Sequence, residues 1–264
     1  MQTIRDLPTL RTRRASLSGT VAMVPTMGAL HAGHMKLIEA AKAQADHVVA
    51  SIFVNPTQFA AGEDLSRYPR RAVEDAAMLA KAGVAILWAP DVATMYPDGF
   101  ATTISVAGVS GGLCGAARPG HFDGVATVVN KLFGQVRPDI ALFGEKDWQQ
   151  LQVIRRMVAD LDLGIDIICV PTEREGDGLA MSSRNAYLSA ADRKAAVALP
   201  AALIAAATAL GAGGDEAAIL DKARAVIAAA GFKIDYVERR GNRILAAARI
   251  GTTRLIDNFS IPPR

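Results

Sequence analysis

Between residues 20 and 170 the chain alternates short Val- and Ile-rich runs with longer segments of helical periodicity. That alternation admits few folds other than a parallel sheet covered by helices. The predicted strands are residues 21–24, 48–54, 84–88, 140–143 and 165–170, and the predicted helices are 33–45, 70–82, 124–135 and 148–160. The strand runs lack polar alternation, as strands buried on both faces do, and the helices are long enough for right-handed crossovers. An open, doubly wound, Rossmann-like α/β sheet is expected. After Pro171 the pattern changes: a charged, Gly-containing segment (172–177) precedes two Ala-rich helical stretches, 189–210 and 215–230. Ser189, three residues before Asp192, reads as an N-cap. Residues 232–259 read as short strands with turns near Gly241 and Gly251. Two domains follow, 1–172 and a smaller α+β domain, 173–264, expected to close over the first.

Composition narrows the class. The 264 residues are 51% hydrophobic and 21% charged, which fits a folded globular chain and not a disordered one. Cys114 and Cys169 stand far apart with no CxxC pair, so no zinc site or disulfide framework is indicated, and a reducing cytoplasm fits. The net charge is +3 and the pI about 9.0. The positive excess sits at the two ends: four arginines face one aspartate in residues 1–14, and seven basic residues face three acids in 231–264. No basic stripe interleaved with aromatics is visible, so a nucleic-acid groove is not expected. The uncharged stretches 99–117 and 195–214 are broken by Gly and Pro and read as a loop and a soluble helix, not membrane spans. No apolar targeting run follows the N-terminal arginines, and a cytoplasmic protein is expected.

Chemistry concentrates in the loops leaving the strands, where open parallel sheets bind ligands. After the first predicted strand come Met27-Gly28-Ala29-Leu30-His31-Ala32-Gly33-His34, with a helix beginning inside the motif. Backbone N–H groups, a helix dipole and two imidazoles suit a phosphate there without a Walker lysine; a metal pair or structural histidines are the alternatives. After the second strand, Asn55-Pro56-Thr57-Gln58-Phe59 offers neutral donors and acceptors in a turn. After residues 140–143, Gly144-Glu145-Lys146-Asp147 precedes Gln149 and Gln150: Lys146 suits a phosphate as a point charge, and Asp147 a helix cap. Met181-Ser182-Ser183-Arg184-Asn185 reads as a triphosphate clamp or a solvated turn. His121 reads as a core or capping histidine and not a catalyst.

Together these segments resemble the pantothenate synthetase (pantoate–β-alanine ligase) family of the HxGH nucleotidyl-transferring superfamily. The resemblance spans nearly the whole chain: MVPTMGALHAGH, FVNPTQF, EDLSRYPR, LCGAARPGHFDGVATVV, PDIALFGEKDWQQLQVIRRMV, DGLAMSSRN and RIGTTRLIDN. HxGH alone is shared by many nucleotidyltransferases; FVNPTQF followed by GEKDWQQL is far more specific.

The resemblance implies an ATP-dependent ligase that activates pantoate as an enzyme-bound adenylate with release of pyrophosphate. The β-alanine amine then attacks, giving pantothenate and AMP. It further implies that His34, His31 and Lys146 are catalytic. Met27, Gly28, Ala29, Leu30, His31, Ala32, Gly33, His34, Gly144, Glu145, Lys146, Asp147, Met181, Ser182, Ser183 and Arg184 would bind ATP, with Glu173 as a further backbone contact. Gln58 and Gln150 would bind pantoate, and Gln58 also β-alanine. Mg²⁺ is expected on the phosphates, held mainly by substrate oxygens and water, and a homodimer is implied. Two positions depart from the family pattern: Glu173 replaces a usually apolar residue, its carboxylate expected to point outward, and Arg71 a usually small one. The rival readings are an HxGH nucleotidylyltransferase with a phosphate acceptor, which Gln58 and Gln150 disfavour, a basic nucleic-acid-binding module, and a non-catalytic nucleotide binder.

Overall fold

The computed structural model describes residues 1–60 and 62–263; Ala61 and Arg264, the last residue of the basic C-terminal segment, lie outside the described residues. The chain divides into two compact units, Met1–Glu145 with Gln149–Pro171, and Lys146–Trp148 with Thr172–Arg264.

The first unit is built on six parallel strands: β1 (Gln2–Ile4), β2 (Val21–Thr26), β3 (His47–Ile52), β4 (Ile86–Trp88), β5 (Ile140–Gly144) and β6 (Asp166–Val170). Their order across the sheet is β1-β4-β3-β2-β5-β6, every pair parallel. The helices are α1 (Leu7–Ala15), α2 (Ala32–Lys42), α3 (Ala72–Lys81), α4 (Val92–Met95), α5 (Leu113–Ala117), α6 (His121–Val136) and α7 (Trp148–Asp160). The doubly wound sheet is thus as the sequence predicts. From β2 the chain winds through β3 and β4 in one direction, and from β5 to β6 in the other. The switch point between β2 and β5 is where such sheets open a ligand crevice outside the strand carboxyl ends.

Several details differ from the sequence expectation, which lacks α1 and α4 and reads 99–117 as a loop although α5 forms at its end. β1 is absent from the predicted strands, because three residues beginning Gln-Thr carry no apolar run, although Ile4 is buried at the sheet edge against β4. β3 ends at Ile52, so Phe53 and Val54 already belong to the loop. The single helix expected over 189–210 is two, α8 (Ala190–Ala196) and α9 (Ala198–Gly211), interrupted at Val197.

Burial explains the layering. α2 buries Leu37, Ile38 and Ala41 against Ala22, Val24, Val48, Ala50 and Leu142 of the sheet. In the second unit α8, α9 and α10 (Glu216–Ala229) cover an antiparallel sheet, β7 (Lys233–Arg240), β8 (Arg243–Ile250) and β9 (Thr253–Ser260), ordered β7-β8-β9. Ser189 caps α8 by accepting the Asp192 N–H at 3.1 Å, as predicted. Residues 190–211 are long and apolar enough to cross a membrane. That composition supplies the core: Leu199, Ala202, Leu203, Ala206, Ala207 and Leu210 are buried with Leu220, Ile227 and Ile244.

Candidate active site

β2 ends at Thr26, whose hydroxyl donates to the Ser51 carbonyl at 2.7 Å and accepts the Gly28 N–H at 3.2 Å. The chain then turns through Gly28 (φ 85°) and Ala29 (φ 51°), a left-handed pair that only glycine adopts without cost. The next two N–H groups, of Ala29 and Leu30, donate to the two carboxylate oxygens of buried Asp75 at 2.8 Å each. His31 follows in extended conformation as the N-cap of α2.

The two histidines cap this helix reciprocally. His31 Nδ1 accepts the Gly33 N–H at 3.2 Å, and His34 Nδ1 accepts the His31 N–H at 3.3 Å. This is a capping box built from imidazoles, and it gives the HxGH spacing a structural reason. A neutral imidazole that accepts through Nδ1 carries its proton on Nε2, so both rings, 4.1 Å apart between centroids, present an Nε2–H donor. The expectation that the loop's backbone N–H groups point at an anion is corrected here. Those of Gly28, Ala29, Leu30, His31 and Gly33 are engaged within the fold, and the imidazoles are the side-chain donors at this helix start.

The loop after β3 forms a short 3₁₀ turn, Pro56–Gln58, around buried Asn55. Asn55 Oδ1 accepts from the Thr57 N–H (3.3 Å), the Thr57 hydroxyl (2.9 Å) and the Tyr96 hydroxyl (2.7 Å). Its Nδ2 donates to the Gly124 carbonyl (3.1 Å) and to Gln58 Oε1 (3.0 Å). The amide of Gln58 is therefore oriented: its oxygen faces Asn55 and its Nε2 approaches Met27 Sδ at 3.3 Å. Burial pushes the Tyr96 phenol up, opposed by its hydrogen bond to Thr57.

The backbone of Gln58 is clamped as well. Its carbonyl accepts from Arg118 Nη2 at 3.2 Å and lies 2.8 Å from His121 Nδ1. Arg118 is in turn paired with Glu63 at 2.5 and 2.6 Å, and its Nη1 meets His121 Nε2 at 2.9 Å. Burial pushes the Glu63 carboxyl up, but Arg118, the Ala60 N–H and His121 outweigh it and hold the group below the usual glutamate value. α6 reaches this turn because residue 124 is glycine: a Cβ there would lie 2.4 Å from the Thr57 carbonyl oxygen and 2.8 Å from the Gln58 nitrogen.

Gly144 ends β5, Glu145–Asp147 form a 3₁₀ turn, and α7 begins at Trp148. The adjacent glutamines differ. Gln149 is buried: its Nε2 lies 3.2–3.3 Å from the carbonyls of Val109, Ser110, Gly111 and Gly112, and its Oε1 accepts the Cys114 N–H at 2.9 Å. It organises the glycine-rich segment. Gln150 is half-buried and makes no side-chain hydrogen bond among the described residues.

In the second unit the Lys146 carbonyl accepts from Asn258 Nδ2 at 2.9 Å. Residues 173–181 form a tight hairpin, with Met181 N–H donating to the Glu173 carbonyl at 2.9 Å and a bridge between Arg174 and Ala180. Glu173 is half-buried. Ser182 caps the following turn, Ser183–Tyr187, by accepting the Arg184 N–H at 3.2 Å.

The structure thus brings Met27 and Gln58 together, and His31 with His34. Sequence reasoning missed Asp75, Gly124, Tyr96 and the Glu63–Arg118 pair, all of which act on the proposed groups from other elements. Their only sequence signal is position: Asp75 in the first turn of a helix, and Gly124 just inside another.

The pantoate-beta-alanine ligase family model matches residues 1–260. A pantothenate synthetase of Rhizorhabdus wittichii is 60% identical, the match covering 100% of this chain and 99% of that protein; one from Sphingopyxis alaskensis is 57% identical over 99% and 100%. Among solved structures, a pantothenate synthetase from Thermus thermophilus superposes with a TM-score of 0.94 at 46% identity, covering 100% of both chains. A pantoate-beta-alanine ligase from Francisella tularensis, complexed with beta-gamma ATP and beta-alanine, gives 0.89 at 37%, covering 98% and 97%.

Proposed function

The chain belongs to the pantoate–β-alanine ligase family, and from that premise we propose how it joins pantoate to β-alanine with ATP. It is an ATP-dependent ligase. The proposed route has two steps. A pantoate carboxylate oxygen attacks the α-phosphorus in line, and pyrophosphate leaves. The β-alanine amine then attacks the acyl carbon of the bound pantoyl adenylate, the carbon–oxygen bond to AMP breaks, and the amine gives up a proton as the amide forms.

The observation that carries this reading is the imidazole capping box. The nucleophile is the substrate's own carboxylate, so the protein needs no activated Ser or Cys; it needs donors fixed where phosphoryl charge develops. Two Nε2–H groups locked by their Nδ1 partners supply that at the N-terminus of α2. We assign His34 and His31 to the phosphates, with Lys146 as a point charge. Met27 to His34, Gly144 to Asp147, Glu173 and Met181 to Arg184 are assigned to ATP. Gln58 and Gln150 are assigned to pantoate, and Gln58 also to β-alanine. Neutral amides orient the attacking carboxylate without the ground-state stabilisation that an ion pair would bring.

Among the described residues no group of three or more His, Cys, Asp or Glu could hold a metal ion. The proposed Mg²⁺ keeps its waters and rides on the triphosphate, neutralising phosphate charge. We include Mg²⁺, a homodimer and a cytoplasmic location in the proposal. Sedimentation at micromolar protein tests the dimer, and a monomer removes it.

The deciding experiment is exchange of labelled pyrophosphate into ATP without β-alanine, comparing pantoate, a phosphate-bearing acceptor and no acid. Exchange with pantoate alone is expected. Exchange only with the phosphate acceptor would move the chain to nucleotidylyl transfer.

A further inference from the structure

We propose that Asp75 is a positioning residue for the His31–His34 pair, holding the backbone that delivers His31 to the start of α2; this rests on the functional reading above. The Asp75 carboxylate is 2% exposed and pairs with no cation among the described residues. A buried carboxylate without a counter-charge is costly, and its only evident return is the two N–H groups it accepts. Complementing the dipole of α3 does not require that burial, because Glu74, one residue earlier in the first turn, does so from the surface.

Two consecutive N–H groups converge on one side chain only if the backbone between them bends sharply. The bend here is the left-handed Gly28–Ala29 pair, and alanine holds φ 51° against its own preference. The fit is close: a Cβ at Gly28 would come within 3.0 Å of Asp75 Oδ2. A carboxylate offers two acceptors at the required spacing, whereas an asparagine offers one and sets an NH₂ against the other N–H. The residue after Leu30 is the N-cap, so any relaxation of this bend passes directly to the His31 N–H that His34 Nδ1 accepts. A negative charge beneath a phosphate-binding loop works against binding, which makes geometry the role that accounts for it.

The test compares wild type, Asp75→Asn, Asp75→Glu, Ala29→Gly and Ala29→Gly/Asp75→Asn in pantoate-dependent pyrophosphate exchange, with thermal melting and long-range ¹H–¹⁵N spectra of the imidazoles. Asp75→Asn is expected to lower kcat about 100-fold, as misplacement of a reacting group does, with little change in the KM for pantoate. Its spectra should lose the uniform Nε2–H tautomer. Glycine adopts positive φ without steric cost, so Ala29→Gly should restore part of the kcat lost to Asp75→Asn. Asp75→Glu, with both oxygens on a longer arm, should fall between, and it serves the same comparison if the Asn variant fails to fold. Unchanged tautomers, or a loss that Ala29→Gly does not relieve, overturn the inference. A tautomer change in a chain whose wild type shows no pantoate-dependent exchange would sustain the inference and remove the functional reading.

Discussion

The loops after β2 and β3 leave adjacent strands at the same end of the sheet, and they are held in opposite ways. The first is held by a charge, two N–H groups meeting on the carboxylate of Asp75. The second is held by a missing group, since Gly124 has no Cβ and α6 therefore comes up against Thr57 and Gln58, where Asn55 joins the pieces. A loop bound by one acceptor can be loosened by exchanging a single atom. A loop bound by close packing fails together with its surroundings, because packed interiors do not deform by small steps.

Gly124→Ala should therefore have the largest effect. The added Cβ meets backbone and not a flexible side chain, so we expect about 3 kcal/mol of destabilisation in urea and loss of pyrophosphate exchange. A variant as stable and active as wild type would erase the contrast between the loops. Asn55→Ala comes next. It removes the acceptor of the Tyr96 hydroxyl, which keeps only its 3.3 Å contact with Thr57, and the Asn55 donor to the Gly124 carbonyl, and it lets the Gln58 amide turn, at about 2 kcal/mol, with a raised KM for pantoate. An unchanged KM would mean that the network does not orient Gln58.

Glu63 sharpens the comparison through pH. Its carboxyl is held below the usual value in the folded protein, so unfolding takes up a proton in acid. The stabilisation is fully present above the unfolded pKa of about 4.3 and is lost as pH falls through the lower folded value. Glu63→Gln should flatten that part of the stability–pH curve, and urea titrations across it would show an unchanged slope if the Arg118 pair contributes nothing. Tyr96→Phe should have the smallest effect, about 1 kcal/mol by thermal melting, because Asn55 Oδ1 keeps its two Thr57 donors.

The sheet was legible because strands buried on both faces advertise themselves as Val and Ile runs. It failed where that signal is missing, at polar β1, or overextended, at Phe53 and Val54 beyond β3. The break at Val197 lies between alanine-rich segments that both favour helix. Within the candidate site, the histidines were visible by spacing, but the use of the loop's N–H groups was not. Their acceptor Asp75 lies 45 and 46 positions away, and nothing local marks it. The two glutamines show the limit from the other side. Gln149 precedes buried Val153 by four residues, the step that keeps a helix on one face, so its burial could be read from the pattern. What it binds could not.

The reciprocal histidine cap has a consequence for how this enzyme becomes competent. The first turn of α2 is closed by the same two rings proposed to meet the substrate, so the helix cannot begin correctly while they are misaligned. A second proton on either ring would turn its Nδ1 from acceptor to donor and set two donors against each other at the helix start. Folding of this turn and alignment of the two rings are then one event, read out by the same pair of protons.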